Sequence, residues 1–342
     1  MLSEIVSSID FSEYDYLIKN TKFSTFYHSK NHIKFLETVL GLKSNFIIIK
    51  EKNELIGVMP YFEKKDKYGI VINSLPFFGS YGGAISNKLM IDEKLVEELN
   101  YINKNKDVLS SVIIDNPFHN KNQIYEKKFI FHTSEERLIQ CTVLKNKTNE
   151  MIWKNLEQRT RRSIRKSEKN DIKILIENIN QIHMKKFYQL HVNTMKMKDG
   201  KYKPKNFFPA ILKNFEPGKE YDIFIAMMGD KPIAYLLVFY YKNFAEYYLP
   251  AYDPEFLSLQ ATSHLIWESM KKAQNKKIDY YNFGGTWKNQ EELYRFKRGW
   301  AANDFNYKYF IFRDLDRIKE AGLKEILKKY EYFYVCPFND IK

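Results

Sequence analysis

The sequence predicts an α/β (α+β) chain built as two similar domains in tandem, each a mixed central sheet flanked by helices, with a terminal helix after them. Three observations carry this. The chain has 342 residues, too many for one ordinary core and enough for two. A hairpin pattern occurs twice: I-I-I-K-E-K-N-E-L-I-G-V from Ile47 and I-F-I-A-M-M-G-D-K-P-I-A-Y from Ile223 are each a buried strand, a polar turn and a returning strand. Each hairpin is followed by a third strand, a helix and a further strand, so the repeat covers about 150 residues, far longer than a solenoid unit. The domains are placed at 1–136 and 137–313, and 314–342 is expected to dock on the second domain.

In chain order, residues 11–20 and 30–41 carry helical periodicity, with Gly41 as a stop. Residues 45–52 and 55–62 form the first hairpin, 68–75 a third strand, and Pro76 to Ala84 a glycine-punctuated loop. A helix over 92–105 and a strand over 111–115 close this half at Asn116-Pro117. The second half begins with a strand over 138–144, a long basic helix over 149–169, and helices over 180–197 and 206–215. Strands follow at 221–228, 232–241 and 245–252, then a helix over 260–274 and a strand over 278–283. Gly284-Gly285 ends that strand, because glycine bends without a Cβ penalty. Residues 291–296 make a short helical turn, and Asp314 to Tyr334 reads as an amphipathic helix through Leu315, Ile318, Leu323, Ile326 and Leu327.

Composition narrows the function classes. Hydrophobic residues make up 44% and aromatics 16%, so the chain is folded, and charges interrupt every apolar run before it reaches membrane-spanning length. The N-terminus lacks a basic region and an apolar stretch, which predicts a cytoplasmic protein. Cys141 and Cys336 alone exclude a disulfide framework. His28 and His32 are spaced i, i+4, but no H-E-x-x-H or Cys cluster accompanies them, so no metal site is expected. The net charge of +13 suits an anionic partner: tRNA, a nucleotide- or lipid-linked phosphate, or the anionic inner face of a membrane. An AT-rich genome would explain the same lysines without a partner.

The densest functional signals are four short stretches: S-Y-G-G (Ser80 to Gly83), R-T-R-R-S-I-R-K-S-E-K-N-D-I-K-I (Arg159 to Ile174), Y-N-F-G-G-T (Tyr281 to Thr286) and F-K-R-G-W (Phe296 to Trp300). In this order, on this frame of strands and helices, they resemble the FemAB-like family of aminoacyl transferases and its acetyltransferase-like relatives, which carry two GNAT acyltransferase domains in tandem. The resemblance covers nearly the whole chain. It implies transfer of an acyl group, often an amino acid from aminoacyl-tRNA, to an amine of a cell-envelope peptide or glycan precursor. It also places the Phe296-Lys297 pair at the transfer site, with Phe296 packing the acceptor or the donor adenosine. Ligases of this family that use tRNA often carry a coiled-coil arm in the second domain, though some lack it, and no sustained heptad occurs here.

From the residues themselves, Lys297 is a candidate to stabilise the oxyanion of a tetrahedral intermediate. A general-base role is disfavoured at this stage, because nothing in the sequence depresses its pKa. Gly284, Gly285 and Trp287 would line the same loop. Tyr81, Gly82 and Gly83 would form the opposite wall, and strand alternation puts Tyr248 and Tyr252 on one face. Arg159, Arg161 and Arg162 are candidate phosphate ligands, since guanidinium forks suit phosphate oxygens; the alternative is a solvated helix face.

No tightly bound cofactor is expected. Acyl-CoA-dependent GNAT domains cradle the donor pyrophosphate on a glycine loop before a helix. Here that place holds F-L-S-L-Q-A, Phe256 to Ala261, and the corresponding stretch Asn87 to Lys94 has no glycine. Aminoacyl-tRNA is therefore the expected donor, with acyl-CoA acting on an amino sugar or amino acid as the alternative. A non-catalytic RNA- or phospholipid-binding protein is the alternative from another class.

Overall fold

The computed structural model describes the whole chain apart from residues 78–80, 120, 178–180, 288 and 342, with backbone alone at 122, 177 and 341. The chain forms two compact units, Met1–Leu138 with Asn306–Lys342, and Ile139–Phe305. Unit 1 contains β1 (Leu2–Val6), α1 (Phe11–Asn20), α2 (Lys30–Leu40), β2 (Ser44–Glu51), β3 (Glu54–Asp66), β4 (Gly69–Asn73), the short β5 (Ile85–Ser86), α3 (Leu89–Ile102), β6 (Val108–Ile114) and α4 (Asn122–Lys128). β7 (Thr133–Val143) passes into unit 2. Unit 2 continues with α5 (Asn149–Asn155), α6 (Gln158–Lys169), β8 (Lys173–Glu177), α7 (Gln181–Met197), α8 (Phe207–Asn214), β9 (Tyr221–Met228), β10 (Lys231–Tyr241), β11 (Phe244–Tyr252), α9 (Ala261–Asn275), β12 (Tyr280–Thr286) and α10 (Glu291–Arg298). β13 (Asn303–Arg313) returns the chain to unit 1, where α11 (Leu315–Ala321) and α12 (Leu323–Lys329) follow.

The two units repeat one plan. In unit 1 the strands are ordered β1-β2-β3-β4-β6, antiparallel except for the parallel pair β4–β6, with β13 beyond β6. In unit 2 the order β8-β9-β10-β11-β12 has the same directions, antiparallel until the parallel pair β11–β12, with β7 beyond β12. Two helices separate the first strand from the second in each unit, and one long helix, α3 or α9, crosses between the parallel strands. A parallel pair needs such a crossover, which explains why a helix recurs there.

Local chemistry explains the elements. Asp10 caps α1 by accepting from Ser12 N at 2.7 Å, and Ser29 caps α2, which ends at Gly41 in the left-handed region. The first hairpin turns at Lys52-Asn53, both with positive φ, which suits the twist of the flanking strands. In unit 1 the core gathers Ile47, Met59, Ile72, Leu95 and Phe310; in unit 2 it gathers Phe224, Leu236, Ile266, Tyr281 and Trp300.

Three expectations are corrected. The basic helix expected over 149–169 is two helices, because the chain extends at Leu156 and Glu157 and α6 starts afresh. The terminal helix expected over 314–334 breaks at Gly322, whose φ is +77°. It also packs on unit 1 rather than on the second domain, since β13 pairs with β6 and carries the chain there. Arg317 donates to the carbonyls of Tyr68 (2.6 Å) and Lys106 (3.0 Å), Tyr330 Oη to Gly69 O (2.9 Å), and Ser110 Oγ to Val335 O (2.5 Å). β1, β5, α4, β8 and β13 were not anticipated.

Candidate functional site

The parallel strands β11 and β12 pair only over Phe244–Tyr280, Ala245–Tyr281 and Glu246–Asn282. Beyond this, β11 continues to Tyr252 along β10 and β12 continues to Thr286 with β7 on its other side, but the two no longer pair with each other, so they part and leave a wedge at the carboxyl end of β12. Ligands of α/β sheets bind beyond such strand ends. A buried polar network lines the closed end of the wedge. Asn282 Nδ2 donates to Glu246 Oε2 at 2.8 Å, and Gly284 N donates to Asn282 Oδ1 at 2.8 Å. The second of these bonds fixes the turn, in which Gly284 has φ +73°.

Lys297 closes the network from α10. Its Nζ donates to Gly284 O at 2.9 Å, to Gly285 O at 2.7 Å and to Thr286 Oγ1 at 2.9 Å. Thr286 Oγ1 in turn donates to Gln140 Oε1 of β7 at 2.9 Å. The ammonium is buried (3% exposed) with three neutral acceptors and no carboxylate among them, and burial pulls its pKa down to about 7. This corrects the reasoning against a base. It also shows why Lys297 does not project into open space: all three of its N–H bonds are directed at the strand end. Burial, and then Glu246, push the Cys141 thiol up, while Lys297 pulls it the other way; Cys141 is a neutral core residue. Phe296 is half-buried against the unit 2 core, edge-on to Trp300 at 6.4 Å. Gly285 and Trp287 are exposed.

The cations of α6 divide by use. Arg161 Nη1 donates to the carbonyls of Leu156, Lys154 (3.0 Å) and Trp153 (3.4 Å), closing the end of α5. Arg165 lies over the Trp153 ring at 5.4 Å. Arg159 pairs with Glu157 at 2.8 Å and donates to Arg295 O at 2.5 Å, tying α6 to α10. Of the three arginines expected to hold phosphate, Arg161 is thus committed to a helix end and Arg159 to α10. Arg162 and, one turn on, Lys166 are exposed, without a side-chain hydrogen bond or ion pair among the described residues.

Tyr248 and Tyr252 do not share a face. The register of β10 with β11 shifts between Leu237–Leu249 and Val238–Tyr247, so Tyr248 is the extra residue of a bulge. Tyr252, opposite Ala234, joins Tyr247 on the face toward α9, whereas Tyr248 packs against Phe207 (6.1 Å, stacked) and Phe239 (5.0 Å, edge-on). Beside it is a residue that the sequence reading missed. Lys203, buried in the loop before α8, sets its Nζ over the rings of Tyr248 (5.2 Å) and Phe207 (5.7 Å), and burial lowers its pKa to about 7. In the run K-Y-K-P-K no local signal separates Lys203 from Lys201 or Lys205.

In unit 1, Tyr81 is a core residue, 1% exposed, with its ring edge-on to Tyr27 (4.8 Å) and Tyr307 (5.5 Å) rather than forming an open wall. Gly82 N donates to Ile114 O, and a Cβ there would sit 2.4 Å from Ser74 Oγ. At Gly83, with φ +90°, it would meet Tyr125 Oη at 2.3 Å. Close packing demands these glycines; Ser80 lies outside the described residues. Gly82 also borders a cavity of about 10 Å³, room for about one water, with Asp115, His119 and Lys121. Burial raises Asp115 to about 7 and lowers His119 to about 4. Lys121 pairs with Asp92 at 2.8 Å.

Among the described residues no His, Cys, Asp and Glu group could hold a metal, and no helix is long and apolar enough to cross a membrane. The expected pyrophosphate loop is a 3-10 turn, Pro254–Leu259, followed by Gln260 in the left-handed region, with Phe256 and Leu259 packed on the core.

Residues 154–308 match the family model of the acetyltransferase (GNAT) domain. No curated protein sequence matches the chain. Among solved structures, FemX is similar over 91% of this chain and 97% of its own at 14% identity, with a TM-score of 0.71. L-PGS from Bacillus licheniformis covers 95% of this chain and 98% of its own at 11% identity, with a TM-score of 0.59. A tandem GNAT protein from the clavulanic acid biosynthesis pathway covers 91% and 98% at 6% identity, with a TM-score of 0.55. The fold is that of these tandem GNAT proteins, as the repeated strand plan requires.

Proposed function

We propose that this protein is an acyltransferase of the Fem type, which moves an aminoacyl group from aminoacyl-tRNA to an amine of a cell-envelope peptide or glycan precursor. The observation that carries the reading is the open wedge of unit 2, with the Lys297 amine held at the glycine turn where β12 ends. Amine attack on an ester carbonyl builds negative charge on one oxygen. A cation in a site shielded from water lowers that barrier by about 3 kcal/mol. Lys297 supplies the cation and, on exchanging its bond to the exposed Gly285, a direct donor. Trp287, exposed just past the glycine turn, and Phe296, half-buried next to Lys297 in α10, are the aromatic candidates for substrate contact. Arg162 and Lys166, with the net charge of +13, suit the phosphates of tRNA and of a nucleotide- or lipid-linked acceptor, and suit transient contact with the anionic inner face of the membrane. FemX and L-PGS share this fold and support an envelope acceptor. No tightly bound cofactor enters the reading.

A second reading, acyl transfer from acyl-CoA to an amino sugar or amino acid, is favoured by the match to the acetyltransferase domain and opposed by Leu259, which fills the place of the glycine cradle. Radiolabelled transfer assayed with charged tRNA and with acyl-CoA separates the two. Turnover with charged tRNA alone is expected, turnover with acyl-CoA alone would replace the first reading by the second, and turnover with neither would favour a binding protein.

A further inference from the structure

The sheet of unit 2 ends at β8, which pairs with β9 on one side; no strand pairs with its other side among the described residues. Natural edge strands are commonly blunted by a central charge, a proline or a bulge. β8 is short and carries charges only at its two ends, Lys173 and Glu177, with no proline, no bulge and no charge at its centre. It reads Lys173-Ile174-Leu175-Ile176-Glu177, and its register with β9 runs without a shift from Lys173–Met227 to Glu177–Ile223. Ile176 is 43% exposed, and Met228 at the adjoining end of β9 is 37% exposed.

The order of residues in β8 is self-complementary. An antiparallel second copy centred on Leu175 places Lys173 opposite Glu177, Ile174 opposite Ile176, and Leu175 opposite itself, at both ends alike. Residues i, i+2 and i+4 share a face, so the two charge positions flank Leu175 and the isoleucines meet on the other side. The strand in the same place in unit 1 lacks this property. β1 is centred on Glu4, so self-pairing would set like charges opposite each other, and its Ser3 is already bonded to Glu98.

We propose that β8 is a homodimerisation edge, onto which a second copy of this chain adds antiparallel across a two-fold axis at Leu175, extending the sheet of unit 2. Such an interface is isologous, each copy giving and receiving the same contacts. A five-residue strand pair with its flanking apolar residues buries less than a stable interface of standard size, so the dimer dissociates in the micromolar range.

Sedimentation velocity of the full chain across that range tests this, with wild type expected to show a reversible monomer–dimer equilibrium. Lys173→Glu and Glu177→Lys, each of which sets like charges opposite at both ends, are expected to weaken self-association at least about tenfold. An equimolar mixture of the two variants restores opposite charges at both ends and is expected to regain the dimer, which a folding defect would not do. Leu175→Cys is expected to form an intermolecular disulfide on mild oxidation, since directly opposed strand residues lie within disulfide reach and Cys141 and Cys336 are buried. A wild-type chain that stays monomeric, charge variants that associate as wild type does, or a mixture that stays monomeric would each overturn the proposal.

Discussion

The two units share a strand order and differ where the parallel strands end. In unit 1, β4 pairs with β6 up to its last residue, Asn73, and the chain beyond stays bonded, with Ser74 N donating to Val112 O and Gly82 N to Ile114 O. In unit 2, pairing stops at Glu246–Asn282 and both strands run on apart. Their buried lysines differ in the same sense. Lys121 meets a carboxylate, Asp92, whereas Lys297 meets two carbonyls and a hydroxyl. One plan thus has two endings: a zipped sheet with a compensated charge in unit 1, and in unit 2 a parted sheet with an uncompensated one, on which the proposed transfer reaction rests.

The sharpest way to break this comparison is to remove the polar partner in each unit. Asp92→Asn strands the Lys121 ammonium in a buried site and should destabilise unit 1 by about 3 kcal/mol or more in urea unfolding. Gly83→Ala, which drives a methyl against Tyr125 Oη at a φ of +90°, should cost about 3 kcal/mol in the same unit. Lys297→Met keeps the stem and removes a buried ammonium that no carboxylate offsets, so at neutral pH it should not destabilise unit 2 as Asp92→Asn destabilises unit 1. Turnover should fall on the order of a hundredfold, with little change in KM. Equal losses of stability from Asp92→Asn and Lys297→Met would refute the distinction.

The repeated plan was legible because its signals are local, two hairpins with polar turns and capped helices; the glycine pair expected to end a strand over 278–283 instead lies inside β12, which runs on to Thr286 with a bend at Gly284. The contact of Lys297 with the glycine pair was legible because the two stretches are close in sequence. What the sequence did not disclose is set by long-range register. The bulge at Tyr248 exists only in relation to β10, and it overrules the alternation that had put Tyr248 beside Tyr252. Arg161 could be assigned to the carbonyls of α5 only once the break at Leu156–Glu157 was known. Lys203 differs from its neighbours through burial alone, and the return of the terminal helices to unit 1 follows from β13 pairing with β6.

Protonation gives a smaller test. Burial lowers Lys297 and Lys203 from the ordinary 10.5 to about 7 in the folded chain. Between about 7 and 10.5 the unfolded chain then holds more protons than the folded one, so these lysines make stability rise with pH across that window; below about 7 the full cost of burying both ammonium groups is present. Asp115 acts oppositely in unit 1. Raised from 3.8 to about 7, it makes stability fall as pH rises through that interval. Urea midpoints measured against pH should show a weaker alkaline rise for Lys297→Met than for wild type, and a weaker fall between about pH 4 and 7 for Asp115→Asn. The ratio of wild-type to Lys297→Met turnover should fall as pH rises through about 7 if the charged amine is the active form; a ratio that rises would make the neutral amine a proton acceptor.

The smallest expected effect lies at the glycine turn itself. Gly284 has φ +73°, yet a Cβ built there meets nothing within 4 Å, in contrast to Gly83, where it meets Tyr125. Alanine at 284 therefore bears only the left-handed backbone penalty, about 1 kcal/mol, and no clash. The two bonds that define the turn, Gly284 N to Asn282 Oδ1 and Lys297 Nζ to Gly284 O, involve backbone atoms that alanine retains. Gly284→Ala should consequently unfold at a urea midpoint only slightly below wild type and keep most of its turnover, while Gly83→Ala loses stability outright. A methyl at 284 also projects into the open wedge, so any loss should fall on KM for the larger substrate rather than on the catalytic constant. A Gly284→Ala protein as unstable as Gly83→Ala would mean that the turn is packed in solution, and the contrast between a closed and an open strand end would fail at the position where it is cheapest to test.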